Sequence, residues 1–135
     1  MPYAASRDSY SAPFFDAAAA GTLLARRCAN GHWLAPYIGH GSTLSSCPAC
    51  GGTNLSWAPV EGTATLVSWT VIAGQPSVAG GEREQVSGIV ELTEGPWMYA
   101  AIDATPVGLA VGQPLTVDFV RPGDGEPVPV FRPTV

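Results

Sequence analysis

The sequence predicts a mainly β protein: a short N-terminal helix, then a cysteine-pinned ribbon, then a small barrel of about five strands. Three observations predict it. The apolar runs are short and are broken by 16 Gly and 13 Pro residues, a pattern of strands and turns and not of long helices. A Cys-x-x-Cys pair, Cys47 and Cys50, follows Cys28 by nineteen positions. Beyond Pro59 the chain turns to β-branched and aromatic runs separated by turn residues.

Composition sets the outer limits. With 46% hydrophobic and 13% charged residues, the 135-residue chain can bury a core and is not a disordered tail. All six basic residues are Arg, and the formal net charge is −5. Phosphate neutralisation supplies most non-specific nucleic-acid affinity, so an acidic chain is a poor candidate for that role. No run of about 18 apolar residues is present, so no membrane span is expected. Residues 1–20 lack a basic segment leading into an apolar run, so no signal peptide is expected and a cytoplasmic location follows by default. Three Cys, an odd number, read in a reducing compartment as metal binding or redox chemistry and not as a disulfide framework.

In chain order, residues 1–12 are polar and mixed and read as a loose arm. Pro13 to Gly21 places helix-forming alanines before a terminal Gly, and Phe14 and Phe15 are placed to anchor this helix on another surface. Thr22–Arg27 reads as a strand entering a metal knuckle at Cys28. His32–Leu44 is an irregular connection, and Cys47-Pro48-Ala49-Cys50-Gly51-Gly52 is a tight turn leading out through Thr53–Trp57. Gly62–Ala73 is a long strand whose length suits a curved path around two parts of a barrel. Residues 74–85 read as a polar loop. Val86–Leu92 and Trp97–Ile102 are strands joined by the turn Thr93-Glu94-Gly95-Pro96. Leu115–Val120 alternates with period two, and Val128–Phe131 is a last short strand that Pro129 assigns to an edge. The expected organisation is therefore arm and helix over residues 1–21, ribbon over 22–58 and barrel over 59–135.

The Cys47/Cys50 pair is the strongest local signal. Two thiolates at i and i+3 grip one Zn2+ when the backbone between them turns tightly. Pro48 pre-sets φ and Gly51 lets the turn continue. A structural zinc needs four ligands, with the partner pair about 15–20 residues away. Cys28 fits that spacing, but Gly31 stands where its companion Cys is expected. His32, the next residue, completes a structural Cys3His set of Cys28, His32, Cys47 and Cys50, and His40 competes for the fourth place. Two other readings stand beside it: a ribbon that keeps its shape without metal, its thiols packed as small hydrophobes, and a redox-active Cys-x-x-Cys.

No catalytic set is expected. The chain has no Gly-x-Ser-x-Gly, phosphate-binding loop or dinucleotide fingerprint. Cys28 with His40 as its base is a conceivable nucleophile, but metal geometry accounts better for Cys28. Glu82, Glu84, Asp103 and Asp118 read as solvated charges. Trp33, Trp57, Trp69 and Trp97 read as packing residues ahead of a stacking platform for single-stranded nucleic acid. Arg26, Arg27, Arg121 and Arg132 are candidates to meet the phosphates of a ligand such as coenzyme A, with solvated surface Arg the simpler reading.

The ordered set resembles a known family. It comprises Phe14-Phe15-Asp16 before an Ala-rich helix, Gly21-Thr22-Leu23-Leu24, Arg27-Cys28, Pro36, Cys47-Pro48-Ala49-Cys50-Gly51, Trp57 and Gly62–Thr70. Together these resemble bacterial and archaeal proteins with a zinc ribbon and an OB-fold, long called a domain of unknown function and associated with acyl-CoA metabolism. The resemblance covers residues 13–133 and departs from the family at Gly31. It implies a rubredoxin-like ribbon, a five-stranded OB-fold barrel and a non-catalytic accessory subunit. The implied partner is a thiolase-superfamily enzyme, an acyltransferase or retro-aldolase acting on acyl-CoA or steroid-CoA esters. That enzyme brings its own Cys and His, and the barrel helps to form the acyl-CoA site. Phe14 and Phe15 would then dock on the partner, while no CoA-binding residue is assigned. Two other functions remain in play: a single-stranded nucleic-acid-binding OB module and a free-standing acyl-CoA-binding protein.

Overall fold

The computed structural model describes residues 9, 11–36, 46–76, 82–121 and 123–134. Helix α1 spans Ala12–Ala19, with Pro13 in its first turn, where a missing N–H costs nothing. It stops at a Schellman motif. The Thr22 N–H bonds the Ala17 carbonyl at 2.9 Å and the Gly21 N–H bonds that of Ala18 at 3.0 Å. Gly21 supplies the left-handed φ of 85° that this motif needs.

A three-stranded antiparallel sheet follows, in the order β2-β1-β3, from β1 (Leu24–Cys28), β2 (Trp33–Leu34) and β3 (Leu55–Pro59). Strand β2 lies within the stretch expected to be irregular; two residues are too few to leave a periodic signal. Arg26 is paired between Leu34 and Trp57 and is buried, its guanidinium lying over the Trp57 ring. Arg27, one residue on, is exposed and lies over Trp33.

The remaining strands are β4 (Thr63–Pro76), β5 (Glu82–Leu92), β6 (Trp97–Ile102), β7 (Pro114–Val120) and β8 (Val128–Pro133). They close into a barrel in the order β4-β5-β6-β8-β7. Five strands in this order, with β6 and β8 parallel, give the OB-fold topology. The chain is thus mainly β, as the sequence predicts. Strand β4 curves as its length suggests. It pairs with β7 through Thr63–Thr65 and with β5 along its length, with register shifts between Leu66 and Ser68 and between Ile72 and Gln75.

Two expectations need correction. Residues 74–76 and 82–85 of the expected polar loop are strand: β4 runs on to Pro76 and β5 begins at Glu82, paired Pro76↔Glu82 and Gln75↔Arg83, while residues 77–81 lie outside the described residues. Here the ladder extends past β6, whose pairing ends at Val86↔Ile102, so the extension needs no core-facing alternation. Strand β8 is not an edge, for it lies between β6 and β7. Pro129 pairs with Phe119 on the β7 side and falls outside the two-residue pairing of Val130 and Phe131 with β6.

One apolar cluster joins the two sheets. Leu23, Ala25 and Ala35 pack with Leu66, Val90, Leu92, Ile102, Leu115 and Phe131 from the barrel, with Phe14, Trp33 and Trp69 against them. A smaller cluster of Cys28, Leu34 and Cys47, with Leu55 beside it, lies under the metal knuckles. Asp103 and Asp118 are not merely solvated, because Arg132 joins both and ties the end of β6 to β7 and β8.

Gly88 on β5 marks the tightest approach in the barrel. A Cβ there would stand 2.9 Å from the Ser68 carbonyl oxygen and 3.1 Å from Ile102 Cγ1. Backbone cannot yield as a side chain does, so Gly88→Ala is expected to cost about 1–3 kcal/mol, read as a lower urea midpoint at unchanged slope. A variant as stable as the parent would show that the strands separate freely there.

Candidate metal centre

The first knuckle is Cys28-Ala29-Asn30-Gly31-His32. The Cys28 N–H bonds the His32 carbonyl at 2.9 Å, and the Gly31 N–H bonds back to the Cys28 carbonyl at 2.9 Å. Gly31 closes this turn at a φ of 87°, a left-handed conformation that a cysteine would adopt only under strain. The position expected to carry a fourth thiolate instead turns the chain so that His32 arrives. His32 Nδ1 stands 3.2 Å from Cys28 Sγ.

The second knuckle is Cys47 to Gly52. The Cys47 N–H bonds the Gly52 carbonyl at 2.8 Å, and the Gly51 N–H bonds the Cys47 carbonyl at 2.7 Å. Gly51 takes a φ of 72°. Strand pairing of β1 with β3 and the bond from the Ala29 N–H to the Asn54 carbonyl bring the two knuckles together.

The structure collects the four expected residues. One ligand atom each from Cys28, His32, Cys47 and Cys50 lies within 4.8 Å of all the others. The Sγ atoms of Cys28 and Cys50 are 3.9 Å apart. A tetrahedral zinc with bonds of about 2.3 Å to sulfur places two thiolates about 3.8 Å apart, so the spacing fits. Three sulfurs and one imidazole nitrogen, with no carboxylate among them, suit zinc in a closed structural site more than a hard cation. His40, the competing ligand, lies outside the described residues.

The electrostatics divide the cluster, with Cys28 and Cys50 drawn toward the thiolate and Cys47 and His32 holding their protons more tightly. Burial pushes the Cys28 thiol up, but hydrogen bonds from the His32 N–H and ring, and from the Asn30 N–H, outweigh it and the net shift is down. The Asn30 amide, then the Gly52 N–H, hold the Cys50 thiol down to about 6 against its burial cost. Hydrogen bonding to Cys28 and then to Cys50 raises His32. Burial pushes Cys47 up despite the Ala49 and Cys50 N–H groups.

The other singled-out residues fall elsewhere. Phe14 packs on the core and lies 5.8 Å from the Trp57 ring, with Phe15 edge-on to it at 5.4 Å. Trp33 and Trp57 carry arginines on their faces, and Trp69 packs on the core. Trp97 is 52% exposed and donates to Glu91, so the tryptophans do not line up as a stacking platform. Arg121 donates to the Gly125 carbonyl. Asn30 escaped the sequence reading, because a lone Asn in a turn carries no spacing signal. Among the described residues, no helix is long and apolar enough to cross a membrane.

Comparison with known proteins places the fold in a family. The profile of the ChsH2 C-terminal OB-fold domain matches residues 57–120. A solved chain named Ltp2-ChsH2(DUF35) aldolase superposes with a TM-score of 0.74 at 27% identity, over 100% of both chains. These likenesses support a DUF35 OB-fold family. A "DUF35 domain-containing scaffold protein" of Pyrococcus furiosus is 29% identical over 91 residues, 67% of this chain and 62% of that protein. A "Probable enoyl-CoA hydratase alpha subunit" of Thermomonospora curvata is 30% identical over 123 residues, 90% of this chain. The chain therefore spans 37% and 62% of the lengths of these two curated relatives. A DUF35-family protein of unknown function from Sulfolobus solfataricus shares the fold, with a TM-score of 0.57 at 11% identity, over 93% of this chain and 86% of that one.

Proposed function

We propose that this chain is a non-catalytic accessory subunit that binds an acyl-CoA enzyme and helps to form its acyl-CoA site. The observation that carries this reading is the end-to-end likeness to a DUF35 chain whose name couples it with an aldolase. Two relatives point the same way through their names, scaffold protein and enoyl-CoA hydratase alpha subunit. The partner we favour is a thiolase-superfamily acyltransferase or retro-aldolase acting on acyl-CoA or steroid-CoA esters, in the cytoplasm. The helix carrying Phe14 and Phe15 is its proposed docking element. The chemistry of this chain supports the division of labour, because its three cysteines and His32 are gathered in one metal-type cluster. Zinc, when bound by Cys28, His32, Cys47 and Cys50, would pin the two knuckles of the ribbon and take no part in a reaction.

Co-expression with a candidate thiolase-like partner tests the reading. A stable complex is expected by light scattering, with the partner's activity or solubility lost when this chain is omitted. A monomeric chain beside a fully active lone thiolase-like enzyme would end the proposal. Salt-dependent binding of single-stranded DNA would favour the nucleic-acid module instead. Binding of CoA esters by the isolated chain would favour the free-standing acyl-CoA binder.

A further inference from the structure

We infer that Asn30 is a positioning residue of the metal centre, holding the Cys50 sulfur from across the gap between the two knuckles. The inference rests on the metal reading of the cluster. Asn30 belongs to the first knuckle and Cys50 to the second, yet Asn30 Nδ2 stands 3.3 Å from Cys50 Sγ and donates to it. Of the three thiols, Cys50 alone is exposed, whereas Cys28 and Cys47 are buried. An exposed thiolate ligand is the one that protons, water and competing chelators reach first. A neutral amide donor over that sulfur disperses its negative charge without supplying an acidic proton or a rival ligand.

The local backbone serves this contact. Gly31 takes its left-handed turn directly after Asn30, and the Ala29 N–H is fixed to the Asn54 carbonyl at 3.1 Å directly before it. On the other side, Gly52 lies beside the pair, for a Cβ there would stand at ordinary contact distance, 3.5 Å from Cys50 Sγ and 4.0 Å from Asn30 Nδ2. Cys28 has a comparable donor from within its own knuckle, the His32 N–H at 3.4 Å. Among the described residues, the Asn30 bond spans the two knuckles with a side chain that is not itself a ligand. It ties Cys50 to the knuckle in which Gly31 replaces the expected thiolate.

The test uses the full chain, loaded with zinc for affinity and with Co2+ for spectroscopy. Asn30→Ala removes the donor. Asn30→Asp keeps its shape but turns it into an acceptor-only anion beside a thiolate. Removing an outer partner of a metal ligand typically weakens the metal by about 10–100-fold. We expect zinc Kd, by chelator competition, to rise about tenfold or more for Asn30→Ala and further for Asn30→Asp. The thiolate-to-cobalt charge-transfer band should also move to lower energy, as the sulfur loses its hydrogen bond. A merely structural role for the side chain would leave that band in place. Wild-type Kd and an unmoved band in Asn30→Asp would overturn the inference while leaving the metal site standing. A wild-type chain that takes up no zinc would overturn both.

Discussion

Cys47→Ser is expected to reduce zinc from one equivalent per chain to near none and to melt the ribbon, an effect larger than that of any substitution outside the knuckles. Cys47 is 2% exposed, and its backbone closes the second knuckle through Gly51 and Gly52. Its sulfur also packs with Cys28 and Leu34 in the small cluster that is the ribbon's own apolar interior. That cluster is small beside a domain core, so zinc, when bound, would supply much of the ordering free energy of the knuckles. Structural zinc contributes about 10–16 kcal/mol to folding in small zinc modules, against about 1 kcal/mol for a typical hydrogen bond. Serine keeps the volume but is a far poorer zinc ligand than a thiolate. The barrel strands supply most of the cluster they share with Leu23, Ala25 and Ala35, so the fluorescence of Trp69 and Trp97 should change less than that of Trp33 and Trp57 when the ribbon is lost. Acidification should act in the same direction, because each ligand binds metal only when deprotonated. Cys47 is pushed up by burial and His32 is raised by its hydrogen bond to Cys28, so both resist deprotonation, and zinc affinity should fall steeply below neutral pH. Inductively coupled plasma analysis across a pH series, for the parent chain and Cys47→Ser, reads both effects. Full zinc in Cys47→Ser would remove Cys47 from the ligand set.

Phe131→Ala should be the most damaging substitution in the barrel, at about 3–5 kcal/mol. Phe131 is fully buried and sits on β8, facing Ile102 of β6 in one register and Val117 of β7 in the other. It is the residue at which the barrel closes, for β6 and β8 pair only through Ala101↔Val130 and Ile102↔Phe131. Its carbonyl also takes the Asp103 N–H at 2.8 Å. Small domains are stable by about 5–15 kcal/mol in total, so the loss would take much of the margin. The control is Val107→Ala at a position that is 88% exposed, expected to stay within about 0.5 kcal/mol of the parent. Urea denaturation of both variants gives the comparison, and a Phe131→Ala midpoint equal to that of Val107→Ala would mean that the barrel core lies elsewhere.

Much of this was legible in the residues. Strands β5 to β7 announced themselves because each buries one face, so that Val86, Val90 and Leu92 alternate with half-buried or exposed neighbours. The ligand cluster was legible because metal chemistry fixes both residue type and spacing. Where those constraints lapse, the reading failed. The far ends of β4 and β5 extend past the pairing of β5 with β6, and Gly74 and Pro76 read as turn chemistry although the ladder continues beyond them. Pro129 read as an edge residue because a one-dimensional pattern does not show that β8 meets its second neighbour for only two residues. The roles of Asp103 and Asp118 depend on Arg132, which is distant in sequence from Asp103. Asn30 became meaningful only when Cys50 was seen beside it.

The central claim is that any acyl-CoA chemistry this protein serves belongs to another chain. The most direct measurement is acyl-CoA turnover by the purified chain alone, by the proposed thiolase-like partner alone and by the two together, at matched concentrations. No turnover is expected from the chain alone, and the highest rate from the pair. Turnover by the isolated chain at the rate of the pair would contradict that claim.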